Sequence, residues 1–288
     1  MLPIILAFTA MFGWAMADTL SVVLYRRYSS GVVTVNVAIG RMLVWLCLLP
    51  WFYTNIKQVT LYPLAVNLFA GLCSGVGLYF YGKALKSANP VLVTPITCSS
   101  VSTLIFAKLL FNESISIFQS ISLVIVLAGY VISVAQPGAF KKSLTSETKG
   151  LIYAFVTFIT WGVCGAIIKI PSLAYGWFWS SVFLLVPYSI VVMLDRQSLR
   201  SKTSPQNMRP FFIFTMVILL SAAADFGMFG GYTFGGKGLI VGTIGQSFPV
   251  LSTLLMCFGY REPLNKQQLI GTITSVIGIV LTAITSLV

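Results

Sequence analysis

The sequence predicts an all-α membrane protein of ten transmembrane helices, built as two inverted five-helix repeats. Three observations carry that expectation. The 288 residues are 57% hydrophobic and only 8% charged, with a mean hydropathy of +0.94. A soluble domain carries about 25% charged residues, so this chain cannot cover a water-facing surface. Its apolar residues fall into ten runs, each close to the roughly 20 residues that cross a bilayer as a helix. The two halves of the chain also share spacings. Eighteen bases stand against six acids, a formal charge of +12. The bases sit singly or in pairs between apolar runs, as in the basic loops of a multi-pass protein, and form no nucleic-acid-binding face.

The spans lie near 2–25, 33–53, 63–82, 90–111, 115–136, 150–170, 174–194, 210–234, 238–259 and 264–287. Charge, Pro, Asn and Gly clusters separate them. Only two connections exceed ten residues, Gln136 to Lys149 and Asp195 to Arg209, so no soluble domain fits between spans. The run from Met1 to Tyr25 is too long for a signal h-region and lacks a basic n-region, so no cleavable signal peptide is expected. Five cysteines all fall in apolar stretches, none in a CxxC, and there is no histidine. That excludes the usual zinc site, and no cofactor or metal is expected.

Loop charges assign the sides. Connections 1–2, 3–4, 5–6, 7–8 and 9–10 carry thirteen bases: Arg26, Arg27, Lys83, Lys86, Lys141, Lys142, Lys149, Arg196, Arg200, Lys202, Arg209, Arg261 and Lys266. The opposite side carries three, Lys57, Lys169 and Lys237. The positive-inside rule puts the thirteen-base side in the cytoplasm and both termini outside.

The halves match in several places. Glu113 precedes Gly129 by sixteen residues, and Glu262 precedes Gly278 by the same sixteen. Each Glu opens a final helix after a short turn, Phe-Asn-Glu-Ser in one half and Tyr-Arg-Glu-Pro in the other. There a carboxylate caps exposed amides at the positive end of the helix dipole. Thirteen residues before them stand Ser100 and Pro249. Ser102-Thr-Leu and Ser252-Thr-Leu recur, as do Gly13-Trp14 and Trp161-Gly162. The expected division is a first repeat over 1–136, an inter-repeat loop over 137–149 and a second repeat over 150–288. Because each half has an odd number of spans, the second enters from the opposite side. That is the plan of secondary transporters with a midplane site between halves.

The pattern resembles the drug/metabolite transporter superfamily, in its EamA-type ten-helix branch. The matching residues are Thr160-Trp161-Gly162 with Lys169, Arg41, Gly82-Lys83-Ala84-Leu85, Pro249-Val250 and the turns at Glu113 and Glu262. Ser100 stands where the first-half proline is usual, and helix 7 has no arginine matching Arg41. The resemblance implies a carrier of amino acids, drugs, purines or sugars, driven by protons or exchange. It also implies cytoplasmic termini, against the loop count.

Six acids bear on chemistry. Glu147 and Asp195 are expected in loops, and Glu113 and Glu262 are expected to be structural caps in preference to transport residues. Asp18 and Asp225 lie inside spans, where a charge costs at least ~2.5–3.5 kcal/mol on insertion scales and calls for a partner or a role. Asp18 is seven residues from the end of span 1 and Arg41 eight into span 2, both roughly 10–12 Å from the same membrane face. They are expected to pair, either structurally or as a gate; a free Arg41 would bind a planar carboxylate. Asp225, near the midplane with no base at comparable depth nearby, is expected to be unpaired and either to exchange protons or bind an amine, or to be a hydrogen-bonded neutral acid of the core. Trp14, Trp161, Tyr79 and Tyr81 are candidates to line a cavity. Trp177 and Trp179 fit an interfacial belt, and Gly71-xxx-Gly75 and Gly238-xxx-Gly242 fit close helix contacts.

The expected function is secondary active transport of a small organic metabolite, amino acid-like or similar, by alternating access, proton-coupled or by exchange. The partners are that substrate, protons and the lipid bilayer, with no nucleic acid, and the chain works as a monomer or homodimer in the inner cell membrane. No nucleophile–base arrangement or paired-acid motif supports an enzyme. A channel would need a filter-like loop or charge ring. A non-transporting scaffold or receptor is the other reading.

Overall fold

The computed structural model describes residues 1–53, 60–88, 90–112, 116–134, 146–193, 208–260 and 266–285. Among them are helices α1 (Leu2–Arg27), α2 (Ser30–Phe52), α3 (Leu61–Ser87), α4 (Pro90–Ile96), α5 (Ser100–Phe111) and α6 (Ile117–Val134). The second half supplies α7 (Ser146–Ile167), α8 (Lys169–Met193), α9 (Met208–Thr233), α10 (Gly238–Gly245), α11 (Phe248–Tyr260) and α12 (Lys266–Thr285). Eight helical stretches of the described residues are long and apolar enough to cross a membrane, and shorter apolar helices, Ile117–Gly129 and Leu269–Thr282, take the fifth and tenth places.

The local chemistry suits a lipid solvent. Hydroxyls inside the spans donate to carbonyls one turn back, Ser21 to Ala17 at 2.7 Å, Thr34 to Ser30 at 2.9 Å and Ser252 to Phe248 at 3.0 Å. Every polar group so satisfied spares the cost of an unpaired one in hydrocarbon. Ser29 caps α2 by accepting from the Val32 amide. Large apolar side chains, among them Phe12, Leu43, Phe69 and Ile121, are exposed on the outer surface.

Among the described residues, two spans are each split into two separate helices. Span 4 breaks at Thr97–Ser99, between α4 and α5, and span 9 breaks at Gln246–Ser247, between α10 and α11. Span 7 is also interrupted: Gly176 takes φ 77° and ψ 171°, a conformation only glycine adopts readily, and separates Lys169–Tyr175 from the span that starts at Trp177.

Packing displays the duplication. α1 runs along α9, α3 along α7 and α8, α2 against α8 and α9, and α6 against α12. α5 contacts α7 and α10, while α11 contacts α1 and α4. Exchanging each span with its counterpart five places on maps every one of these contacts onto itself or onto another in the set. Gly13 and Gly162, Gly129 and Gly278, and the breaks at Thr97 and Gln246 are each 149 positions apart. At the α6–α12 crossing, a Cβ on Gly129 would lie 2.4 Å from the Ser275 nitrogen, and one on Gly278 would lie 2.6 Å from the Val126 nitrogen. Gly71 and Gly75 likewise seat α3 on Leu184 and Tyr188, and Gly242 lies against Thr103 and Tyr232.

Trp177 and Trp179 both pack against neighbouring rings. Trp177 packs inward on Phe52, Phe226 and Trp45, at ring separations of 4.8, 4.8 and 5.8 Å. Trp179 meets Phe178 edge to face and Phe183 at a tilt of 31°. Glu113, Glu262, Asp195 and seven of the loop bases, Lys57, Lys141, Lys142, Arg196, Arg200, Lys202 and Arg261, lie outside the described residues. Glu147 falls in the first turn of α7 and not in a loop.

Candidate functional site

The helices enclose a central cavity of about 110 Å³, lined by residues of both halves. Since a water needs about 10–15 Å³ on this measure, the space suits a small solute or a cluster of waters. Six of the seven residues singled out in the sequence line it: Trp14, Asp18, Arg41, Tyr81, Trp161 and Asp225. Tyr79 does not. It stands one position off the cavity stripe of α3 and pairs with Lys83, whose ammonium both bonds its hydroxyl and lies 4.1 Å from its ring centroid.

The charges pair differently from the sequence expectation. Arg41 does not bond Asp18. Its guanidinium grips Asp225 in a fork, Nε to Oδ2 at 3.0 Å and Nη2 to Oδ1 at 2.7 Å. Nη1 donates to the Tyr188 hydroxyl at 3.0 Å, with the guanidinium carbon 5.0 Å from that ring's centroid. Both partners are buried, at 8% and 2% exposure. This is the planar, bidentate geometry that favours arginine over lysine. Asp225 is therefore not unpaired, and the pair ties α2 of one half to α8 and α9 of the other. Depth does not separate the two acids. Arg41 stands eleven residues into α2 and Asp18 nine from the end of α1, a difference of roughly 3 Å along the axes, so the direction in which each helix turns its side chains decides the pairing.

Asp18 is left for a different environment. It accepts from the Tyr81 hydroxyl at 2.9 Å and makes no ion pair among the described residues. Tyr81 is fixed in turn by its ring contact with Trp161, at 5.2 Å. The Trp161 indole N–H donates to the Ser74 carbonyl at 3.3 Å. On the same wall, Trp161 meets Phe248 at 5.7 Å, and Phe248 meets Trp14 at 5.5 Å.

The two helix breaks meet beside the cavity. Ser99 Oγ donates to Gln246 Oε1 at 2.6 Å, and Cys98 Sγ donates to the Gln246 carbonyl at 3.8 Å. Gln246 itself lines the cavity. Tyr25, Tyr188, Gln246 and Phe248 were not singled out in the sequence. Tyr25 could have been found, because it lies seven residues from Asp18 and hence on the same helix face.

Comparison with known proteins agrees with this architecture. A solved structure described only as the crystal structure of a protein superposes with a TM-score of 0.73 at 18% identity, covering 97% of each chain. At that identity it shows the fold alone. No curated protein matches the chain. The model of the EamA-like transporter family matches residues 1–135 and again 148–284. The two matches span nearly the whole sequence, so the chain belongs to the EamA-like transporter family and is a multi-pass membrane transporter of the drug/metabolite transporter type.

Proposed function

We propose that the chain is a secondary active transporter that carries a small organic metabolite bearing a cationic group by alternating access, and that Asp18 takes either that group or a proton. The observation that supports the reading is the position of Asp18, on the wall of the central cavity with no cation bonded to it among the described residues. The guanidinium that shares the cavity is already held by Asp225. Two carboxylates and one guanidinium leave the ionised cavity with a charge of −1. One proton or one monovalent cation makes it neutral, and the two exclude each other. That exclusion is a coupling mechanism, because an outward-bound cation and an inward-bound proton take turns on one carboxylate.

The sign of the pH dependence follows by mass action. The titratable and charged groups facing Asp18 around the cavity are Tyr25 on its own helix, Arg41, Tyr81, Cys164, Tyr188 and Asp225. None of them is a free cation, so lowering the pH fills Asp18 with a proton and weakens binding of the cation. Arg41 and Asp225, drawn from opposite halves, hold the walls of the cavity together in this reading. One chain supplies both halves, so a monomer suffices. We place the thirteen-base side in the cytoplasm of an inner membrane, so cysteines at Ser143 and Ser204 should resist impermeant thiol reagents in intact cells.

The test is counterflow in proteoliposomes with a panel of labelled amino acids, amines and organic cations. The expected result is saturable exchange of at least one cationic or zwitterionic solute, weakened as pH falls. Flux that does not saturate would make the protein a channel, and no flux across the panel would make it a scaffold.

A further inference from the structure

We infer that the cationic group this cavity takes is an alkylated onium, a charge shielded by methyl or larger alkyl groups, and not a primary ammonium. The inference rests on the carrier reading above and concerns the chemistry of its substrate. It begins with a closed circuit of contacts. Tyr81 bonds Asp18 and touches Trp161, Trp161 touches Phe248, and Phe248 touches Trp14. Trp14 lies four residues before Asp18 on α1, which returns the circuit to the carboxylate. The rings come from α3, α7, α11 and α1, so both halves contribute. Successive planes are tilted by 50°, 52° and 60°. Such tilts make a curved aromatic wall and not a flat stack. Ring faces attract cations, and walls of this kind recognise quaternary ammonium groups in general.

The hydrogen-bonding inventory points the same way. A primary ammonium carries three N–H donors, each of which needs an acceptor once it leaves water. Several acceptors of the wall already carry one donor each. One Asp18 oxygen already accepts from Tyr81. The Ser74 carbonyl accepts from Trp161, and Gln246 Oε1 accepts from Ser99. An alkylated onium needs only the charge of Asp18 and the faces of the rings. Arg41 does not compete for that wall, because Asp225 holds it and Tyr188 stacks on it. A cavity of about 110 Å³ fits an ion of choline size better than a multi-ring cation.

The experiment titrates the purified full-length protein with choline and with ethanolamine, which differ only in N-methylation, by calorimetry at two pH values. Choline should bind about tenfold or more tightly than ethanolamine, as expected when a cation meets several ring faces. Trp161→Leu should bring the choline-to-ethanolamine ratio close to one, whereas Trp161→Phe, which keeps a ring face, should retain most of it. The ratio is internal to each variant, so a partly misfolded preparation does not disturb it. Asp18→Asn should weaken both ligands and abolish their pH dependence. Ethanolamine bound as tightly as choline in the unaltered protein would overturn the inference, as would a ratio unmoved by Trp161→Leu. Ethanolamine preference with intact pH dependence would overturn only the alkyl selectivity and leave the carrier reading in place. Binding of neither amine would overturn the inference and leave the carrier reading to the counterflow panel.

Discussion

Asp18 and Asp225 are both intramembrane acids, they belong to opposite halves of the duplication, and they line one cavity, yet their surroundings differ in kind. Asp225 is enclosed by a bidentate guanidinium from α2 and is 2% exposed. Asp18 faces the cavity with a single neutral donor, the Tyr81 hydroxyl. On the proposed function, that difference separates a structural charge from a ligand-binding one. A charge paired across the halves fixes geometry, and a charge left facing the cavity is available to a ligand. The repeats are alike in backbone contacts and unlike in the residues that carry charge.

The largest effect should come from Asp225. Asp225→Ala strands a buried guanidinium, which costs about 3–5 kcal/mol. A lowered melting temperature in detergent checks this, and Arg41→Gln combined with Asp225→Asn should recover most of the loss. The same cycle run on Asp18 and Arg41 should show little coupling, since the two are not bonded. A strong Asp18–Arg41 coupling would erase the contrast between the acids.

Tyr81→Phe removes the donor on Asp18 and should cost about 1 kcal/mol, a small loss of thermal stability. Asp18→Asn orphans no charge, so its loss of stability should be well below that of Asp225→Ala, although gradient-driven transport fails. Tyr79→Phe sets the floor. The ring faces Lys83 and not the cavity, so transport should match the unaltered protein, and a changed substrate response would show that the cavity extends further along α3.

Much of this fold was legible in the sequence because hydropathy reports depth along the membrane normal. It placed the ten spans and brought six of the seven chosen residues to one cavity. Hydropathy does not report the angle each helix presents around the bundle. The Arg41–Asp225 contact joins residues 184 positions apart, and only the packing of α2 against α9 decides it over Asp18 on the neighbouring span. The helix breaks were missed for a related reason. Thr97–Ser99 and Gln246–Ser247 interrupt spans that remain apolar on average, so a window of twenty residues passes over them. Pro95, Gly245 and Pro249 flank the breaks in equivalent regions of the two halves, and interruptions in corresponding positions are the sequence feature that points to a midplane site.

The division of roles between the acids is tested most directly by accumulation of a transported cation in proteoliposomes under an imposed pH gradient. The variants to compare are Asp18→Asn and the charge-neutral pair Arg41→Gln with Asp225→Asn, on equal amounts of folded protein. Asp18→Asn should show no response to the gradient, Asp18→Glu a partial one, and the Arg41–Asp225 double variant should keep its response at whatever rate it retains. Gradient-driven accumulation by Asp18→Asn with an unchanged pH dependence, or loss of the pH response in the double variant alone, would contradict the assignment of coupling to Asp18.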